Sequence, residues 1–493
     1  MNIMDRRAFL ARGAAFAGGV AIAGPLQAFG ARVASAQSIA SPGYGPLIDM
    51  GDLWLPEGFE YRVISRRSDR MEDVDLMTDV DPVTGARLPM PSRFDGMATF
   101  DDSVTGDTIL IRNHENQSRR GDFAGAETPV EVPNPYDPIT RLDGRRICKG
   151  GVVKLVVRNR EVVTSTALLG GTIWNCAGGQ TPWNTWITCE EETRPPASPI
   201  RHGYIFEVDA FAAGPVDPVP IKPAGRFDHE AVVWHDESLY LTEDKHTDAG
   251  GACFYRYTPS PRPTAAGDLA ASSGPLDALV VDGHPRLLTS TQWPLAIGEP
   301  LSVSWVTVPD PDPAFPDDPS AGVRFQAQTL GAAIFQRTEG CWLGDDKIYF
   351  DCTTGGPSEF GQIWELDPRA MELRLIFQSD DASILFHPDN LAVAPTDDLF
   401  ICEDTGGGPV PHLRALTPDG LIYDFARASR GGRLEGTNLT EFCGTCFSSV
   451  PRPKPGEGLD LSNLTLYVNQ QGTASSSGSP GITYAIWGPW KRD

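Results

Sequence analysis

Several short apolar runs of the chain end on acidic side chains. Examples are "WITCEE" (186–191), "LYLTED" (239–244) and "LFICED" (399–404). A buried carboxylate is costly, and several converging carboxylates repel one another unless they are protonated or neutralised by cations. Strand ends that repeatedly carry acids therefore predict a metal site.

The candidate site combines acids at or near such strand ends with neighbouring amide and thiol groups. Its members are Asn113, Glu115, Cys176, Glu190, Glu191, Glu230, Glu243, Glu339, Asp389, Asn390 and Glu403. Carboxylate and amide oxygens are hard ligands that suit Ca²⁺, Mn²⁺ or iron. The alternative is a solvated loop face, which explains any single acid but not the recurrence of acids at successive strand ends.

Cys176 and Arg337 add two further kinds of chemistry. Cys176 lies in a glycine-rich stretch ahead of Glu191, and a thiolate beside carboxylates suits a transition metal. Arg337 precedes Glu339 by two residues, so both side chains face one side of a strand. The guanidinium fork recognises oxyanions. The alternatives are a small buried cysteine and a structural ion pair.

The spacing of the short runs predicts the elements that position these residues. Short β-type runs separated by turns indicate an all-β fold. Acid-ended strands recur about every 50 residues, and four strands per unit predict a β-propeller of six or seven four-stranded blades. The long gap between Glu243 and Cys352 contains "LSVSWVTV" (301–308), which we interpret as part of an additional unit. The inner strands of a propeller meet at a central channel, where the acids would converge.

Composition and the N-terminus indicate where the protein acts. The chain has 493 residues and a net charge of −24, which argues against a nucleic-acid or anionic-membrane partner. Arg6 and Arg7 precede a mildly apolar run that closes on 34–36 ("ASA"). This pattern predicts a twin-arginine signal peptide over 1–36, cleaved after Ala36, and hence the export machinery as a partner. A membrane anchor is the alternative, but the run is short and rich in glycine.

The remaining 37–493 are predicted to form one propeller domain, a periplasmic or secreted monomer without a membrane segment. Nine cysteines leave at least one unpaired, and whether Cys443 and Cys446 form a disulfide stays open. A single C-x-x-C is poor support for zinc.

Longer blocks of sequence resemble a known family. They are 170–191 ("GGTIWNCAGGQTPWNTWITCEE"), 225–231 ("GRFDHEA"), 339–356 ("EGCWLGDDKIYFDCTTGG") and 399–404 ("LFICED"). With shorter matches from about 90 to 490, the chain resembles the PhoX alkaline phosphatases.

This resemblance implies a secreted propeller whose central iron–calcium cluster hydrolyses phosphate monoesters, with small phosphoesters as substrates. The implied iron ligands are Cys176, Glu191, Glu230 and Glu243. Arg337 and Glu339 would face the substrate, with Glu339 also contacting metal. Implied calcium ligands are Asp389, Asn390 and Glu403, and further metal ligands are Asn113 and Glu115. The metals would act as Lewis acids on phosphoryl oxygens, so that no serine or threonine nucleophile is needed.

Two other functions stay open at this point. A calcium propeller of the lactonase type also places acids and amides at its channel, but it would not require Cys176 or Arg337. A non-catalytic propeller could hold structural metal and bind a ligand. Residues 259–330 match no block of the family, which leaves the number of metals open.

Overall fold

The strands of the protein are arranged as the blades of a propeller. The structure, a computed structural model, describes residues 42–67, 90–116, 127–140, 147–194, 198–290, 295–406, 408–429, 441–450, 458–472 and 481–491. These residues belong to one compact unit, Pro42–Asp493. The predicted signal peptide, 1–36, lies outside the described residues.

The first three blades follow one another along the chain. Blade 1 contains β4 (Phe94–Asp101), β5 (Thr108–His114), β6 (Gly150–Arg158) and β7 (Glu161–Thr172). Blade 2 contains β8 (Asn175–Gln180), β9 (Thr185–Glu190) and β10 (Ile205–Asp209). Blade 3 contains β11 (His229–His235), β12 (Ser238–Glu243), β13 (Tyr255–Tyr257) and β14 (Leu276–Val281). Neighbouring strands within each blade are antiparallel.

The other three blades complete the ring. Blade 4 contains β16 (Thr338–Gly344), β17 (Lys347–Cys352), β18 (Gln362–Asp367) and β19 (Glu372–Gln378). Blade 5 contains β20 (Pro388–Val393), β21 (Leu399–Glu403), β22 (His412–Leu416) and β23 (Ile422–Ala428), and β2 (Leu53–Pro56) and β1 (Leu47–Asp49) extend its outer edge. Blade 6 contains β24 (Phe442–Phe447), β25 (Leu466–Gln470), β26 (Ile482–Trp487) and β3 (Glu60–Arg66).

The innermost strands close a ring around a central axis. β4, β8, β11, β16, β20 and β24 contact one another in that order, and β24 contacts β4. β3, the third strand of the described chain, pairs with the last strand, β26, so blade 6 joins strands from the two ends of the propeller sequence. The predicted all-β propeller is confirmed, with six blades in the described part of the chain.

The interpretation of 301–308 as part of an additional blade is wrong. This segment forms β15 (Leu301–Thr307), which pairs with β14 on one side and with β19 on the other. It therefore bridges blades 3 and 4. The connection also contains the short helices α1 (Asp268–Ala271) and α2 (Val323–Thr329). An insertion between two adjacent blades, and not a further repeat, lengthens the spacing there.

The hydrophobic core lies between the blades. Each pair of adjacent blades encloses a buried cluster, and strand cysteines such as Cys189, Cys352 and Cys402 serve as small members of these clusters. Each fully buried large apolar side chain stabilises the fold by about 1.5–3 kcal/mol. All nine cysteines are buried and free, so Cys443 and Cys446 do not form a disulfide. Among the described residues, no helix is long and apolar enough to cross a membrane.

Candidate metal centre

A β-bulge recurs at the start of the inner strands. In blade 1, Phe94 pairs with His114 and Met97 pairs with Arg112, so β4 carries one more residue than β5 over this interval. Blades 2 to 5 repeat the same shift. A bulge turns a side chain away from the regular alternation of a strand. The first bulged residue of each of these five blades lines a central cavity of about 380 Å³.

We call these five side chains the inner ring: Asp95, Cys176, Glu230, Glu339 and Asp389. Each is the second residue of its inner strand. In blade 6 the second residue of β24 is Cys443, whose thiol donates to the Phe94 carbonyl at 3.0 Å. The residue that follows this second position is glycine or alanine in every blade except blade 5, where it is Asn390. A Cβ on Gly340 would lie 2.3 Å from the Asp389 carbonyl oxygen, so this backbone forms a closed floor under the ring.

The residues that follow the second strands form an outer ring: Glu115, Glu191, Asp244, Asp404 and Gln471. Blade 4 has Thr353 at this position, and its hydroxyl donates to the Pro388 carbonyl instead. The acid-ended strands of the sequence are therefore the second strands of the blades. The expectation that they are the innermost strands is wrong.

In each acid doublet only the second member enters the cavity. Glu190 accepts hydrogen bonds from the backbone N–H groups of Ile173 and Gly203. Glu403 accepts from the Phe386 and His412 N–H groups and from Arg414 Nε at 2.9 Å. Successive residues of an extended chain face opposite sides, so Glu191 and Asp404 face the axis.

Glu243 follows the same rule. It accepts hydrogen bonds from Tyr255 Oη at 2.8 Å and from the Cys253 N–H, and it lies 3.5 Å from Arg324. Burial raises its pKa to about 7. The structure thus places the predicted ligands Glu243 and Glu403 outside the cavity lining, because they face the hydrogen-bonding groups of neighbouring segments.

The two predicted amide ligands also lie outside the cavity lining. Asn113 donates to the Cys176 and Ala177 carbonyls and accepts from Trp186 Nε1, so it supports the bulge of blade 2. Asn390 belongs to the floor: its Nδ2 donates to Asp389 Oδ1 at 2.6 Å, and its Oδ1 accepts from the Gly444 N–H. Both orient inner-ring residues. The other seven predicted residues line the cavity: Glu115, Cys176, Glu191, Glu230, Arg337, Glu339 and Asp389.

Two arginines reach the cavity from the residue that precedes an inner strand. Arg93 and Arg337 have φ of 48° and 54°, a left-handed conformation that is uncommon outside glycine. Arg337 donates to both Asp244 oxygens, at 2.9 Å from Nε and 3.0 Å from Nη2. Its Nη2 also lies 2.5 Å from Glu339 Oε1. The predicted Arg337–Glu339 pair therefore exists, and Asp244 fixes its orientation.

Negative charge dominates the cavity. Nine carboxyl groups line it against two guanidinium groups and His246. Burial first, and then repulsion between neighbouring acids, raises the pKa well above the usual range for Asp95, Glu191, Glu230, Glu339, Asp389 and Glu441. Arg337 partly offsets this effect at Glu191 and Glu339. Burial and mutual repulsion thus disfavour the charged forms of these groups, and bound cations would relieve both effects, so the cavity favours positive ions.

Three groups of side chains in or next to the cavity have the chemistry and spacing of metal ligands. The first is Cys176, Glu191 and Glu230, and the second is Glu230, Glu339 and Asp389. The third comprises Asp95 and Glu441, which line the cavity, and Cys443, which does not. Within each group the ligand atoms lie within 4.8 Å of one another. Because Glu230 belongs to two groups, its carboxylate could bridge two ions.

The sequence analysis missed Asp95, Asp244, Asp404 and Glu441 as cavity residues. Asp244 and Asp404 follow the predicted residues Glu243 and Glu403 directly. The alternation of side chains along a strand shows that only one acid of each pair faces the axis, but it does not show which one. A second signal was present in the sequence: an acid or cysteine near the start of each inner strand, followed by glycine or alanine in five of the six blades and by Asn390 in blade 5. It reads "FDGM" (94–97), "NCAG" (175–178), "HEAV" (229–232), "TEGC" (338–341), "PDNL" (388–391) and "FCGT" (442–445).

Comparison with known proteins identifies the family of the chain. The model of the family described as alkaline phosphatase PhoX matches residues 42–452. A solved structure of Pseudomonas fluorescens PhoX in complex with vanadate, a transition state analogue, is 16% identical and has a TM-score of 0.63. That alignment covers 90% of this chain and 97% of the other. A putative gluconolactonase is 10% identical over 89% of this chain and 94% of its own, with a TM-score of 0.35. No curated protein matches the chain.

The family match extends over most of the chain and includes the five inner-ring residues. The chain therefore belongs to the alkaline phosphatase PhoX family, and the resemblance is confirmed. It is a phosphoester hydrolase. Groups of possible metal ligands, as expected for such a phosphatase, converge on its central cavity.

Proposed function

We propose that the protein hydrolyses phosphate monoesters in the central cavity with a centre of iron and calcium. The observation that carries the proposal is the charge of the cavity: nine carboxyl groups against two guanidiniums. A phosphate dianion would be repelled by such a lining unless cations reverse its sign. Phosphate binding in this cavity therefore requires metal binding.

The donor atoms suggest which ion each group holds. The thiolate and two carboxylates of Cys176, Glu191 and Glu230 suit iron. The oxygen ligands of Glu230, Glu339 and Asp389 suit calcium, and Asp95 and Glu441 offer further oxygens. When bound, these ions supply Lewis acidity to phosphoryl oxygens and neutralise the charge that develops in the transition state. We propose supporting roles for Asn113, Glu243, Asn390 and Glu403 in place of direct ligation.

Arg337 is the residue of the chain that would hold the phosphoryl group. Asp244 and Glu339 engage its Nε and Nη2, which leaves Nη1 as the remaining nitrogen of the fork to donate to a substrate oxygen. Because the guanidinium is fixed by two carboxylates and only 17% exposed, little reorganisation is needed when the substrate arrives. Arg93 lines the same cavity and adds a second positive charge.

The fold similarity to Pseudomonas fluorescens PhoX supports the same position for the reacting group. That protein binds vanadate, a transition state analogue. We infer that the phosphoryl group of the substrate enters this cavity here. We also propose that 1–36 directs twin-arginine export, that cleavage after Ala36 releases 37–493 as one domain, and that the product acts as a periplasmic or secreted monomer. Calcium-lactonase and binding functions lose support, since the family match is to phosphatases.

Elemental analysis and p-nitrophenyl phosphate hydrolysis on the same exported sample test the proposal. We expect iron and calcium with turnover in the wild-type protein, and loss of iron and turnover in Cys176→Ala. Cys189→Ala is the matched control, because this buried thiol packs in the core between blades and does not line the cavity. Calcium without iron, or turnover that survives in Cys176→Ala, would refute the proposed iron site. Absence of phosphatase activity in fully metallated protein would refute the proposed function.

A further inference from the structure

A second cluster of metal-binding side chains lies outside the central cavity. Asp137, Cys148 and His202 are all buried, and their ligand atoms lie within 4.8 Å of one another. Asp137 and Cys148 come from the segments before β6, and His202 lies just before β10. None of the three lines the central cavity.

The distances between the three ligand atoms match the edges of a tetrahedron around one ion. His202 Nε2 lies 3.3 Å from Asp137 Oδ2 and 3.8 Å from Cys148 Sγ, and Sγ lies 3.5 Å from Oδ2. Zinc–ligand distances of about 2.0–2.3 Å place tetrahedral ligand atoms about 3.3–3.8 Å apart. Cysteine thiolate, histidine imidazole and aspartate carboxylate are each ligands of zinc in proteins, and three of them leave a fourth position for water.

Glu190 provides the support that a metal-binding histidine requires. Its Oε1 lies 2.6 Å from His202 Nδ1, and backbone N–H groups of Ile173, Gly203 and Tyr204 hold the carboxylate in place. A hydrogen bond from Nδ1–H to Glu190 leaves the Nε2 lone pair directed at Asp137 and Cys148. Carboxylate–histidine–metal arrangements fix the tautomer and raise the basicity of the ligand in this way.

We propose that Asp137, Cys148 and His202 bind one Zn²⁺ ion, with His202 oriented by Glu190. The three side chains are buried, and their ligand atoms lie close enough together to contact a single ion.

The site would attach the described segments 127–140 and 147–149 to blade 2 behind the wall of the central cavity. Cys148 packs with Ile173 and Trp174 in a small buried cluster. Trp174 lines the central cavity, and its carbonyl accepts from the N–H of Glu191. The zinc site is distinct from the proposed iron–calcium centre, but it would hold the backbone that positions one of the residues of that centre.

The competing possibility is a metal-free network in which a doubly protonated His202 joins Glu190 to Asp137. Cobalt substitution separates the two. A Cys176→Ala/Cys443→Ser variant lacks both thiols of the central cavity groups, and it is loaded with Co²⁺. We expect one thiolate-to-cobalt charge-transfer band in the near ultraviolet, and its loss in the triple variant that adds Cys148→Ser. Absence of the band in the double variant, or its survival in the triple variant, would overturn the proposal.

Zinc analysis of the native protein provides a test that needs no variant to fold. Diffraction data collected on both sides of the zinc absorption edge should give an anomalous peak between Asp137, Cys148 and His202. No zinc peak there in crystals grown with zinc at equimolar concentration would equally overturn the proposal. Cys148→Ser should abolish this peak.

Discussion

The doublet Glu403–Asp404 allows a direct test of whether the first acid of a strand end stabilises the fold and the second binds metal. Glu403 was expected to bind metal, yet its side chain is 1% exposed and accepts hydrogen bonds from two backbone N–H groups and Arg414. Asp404 lines the cavity and accepts from the Gly406 N–H. Because Glu403 is held by hydrogen bonds within the fold, we predict that Glu403→Gln destabilises the protein. Because Asp404 lines the cavity, we predict that Asp404→Asn weakens metal binding and catalysis.

The expected size of the first effect follows from the hydrogen bonds of Glu403. Its Oε1 accepts from Phe386 N–H and Arg414 Nε, and its Oε2 accepts from His412 N–H. A glutamine amide has only one accepting oxygen, so at least one of these bonds is lost in either orientation. Hydrogen bonds to charged groups contribute about 1.5–3 kcal/mol each, and we therefore expect a loss of about 3 kcal/mol. With an unfolding entropy of about 0.95 kcal/mol/K for ~450 residues, Tm falls by about 3 °C.

The two variants are compared in metal-free protein first, because bound metal itself stabilises the fold. Calorimetry should show the lower Tm in Glu403→Gln and an unchanged or higher Tm in Asp404→Asn, which removes one acid from a repulsive cluster. With metals restored, Asp404→Asn should lose at least about tenfold in kcat/KM towards p-nitrophenyl phosphate, equivalent to about 1.4 kcal/mol. Glu403→Gln should retain most activity well below its Tm.

The reverse pattern would refute the assignment of the two faces. If Glu403→Gln loses metal and turnover at unchanged stability, while Asp404→Asn behaves as wild type, then the first acid of the doublet is the ligand. The neighbouring pair Glu190–Glu191 gives an internal check, since the same division of roles should hold in blade 2.

Three further predictions concern the cavity. Asp244→Asn should lower kcat/KM by about 10–100-fold at nearly unchanged metal content, because Arg337 loses its charged partner. Arg337→Lys should cause a similar loss. In a double-mutant cycle the effects of the two substitutions should not add, because both disrupt the same ion pair. Gly340→Ala should lower metal affinity in a chelator competition, since its Cβ would lie 2.3 Å from the Asp389 carbonyl oxygen and push two inner-ring strands apart. Gly458→Ala is the control, because its added Cβ would have nothing within 4 Å and neither glycine has a positive φ. Metal-free protein should be more stable at about pH 5.5 than at about pH 8. The pKa values of carboxyl groups such as Glu230 and Asp389 are higher in the folded than in the unfolded state, so the folded protein binds extra protons that it loses as the pH rises. A free energy of unfolding that instead increases with pH in calorimetry would contradict the raised pKa values.

The propeller itself was predictable from the sequence because each blade repeats the same strand and turn pattern. The number of blades was harder to predict, since the connection that contains β15 lengthens one repeat without adding a blade. Spacing measures residues along the chain. It does not distinguish an insertion between two blades from an additional blade, and only the pairing of β15 with both β14 and β19 does so.

The candidate site was predictable in composition but only partly in orientation. Seven of the eleven predicted residues line the cavity, and the sequence correctly singled out Cys176, Arg337 and Glu339. Which acid of a doublet faces the axis depends on the partners of the other acid. For Glu243 these are Tyr255, Cys253 and Arg324. Such partners come from later strands, and their position is a property of the fold.

The bulge and the doublet together explain how six similar blades produce one metal centre. The bulge of the inner strand turns an acid or thiol towards the axis, and the first acid of the doublet fixes the end of the second strand through backbone N–H groups. The side chain of the second acid faces the opposite side of the strand and therefore points into the cavity. Five blades contribute a side chain to the inner ring from a bulge, and five contribute one to the outer ring from the residue after the second strand. Since the two sets come from different strands, a change in one blade, such as Thr353 in blade 4, removes an outer-ring carboxylate without removing Glu339 from the inner ring. That independence allows the cavity to combine a thiol, carboxylates and two arginines within a repeated scaffold, which a strictly symmetric propeller could not do.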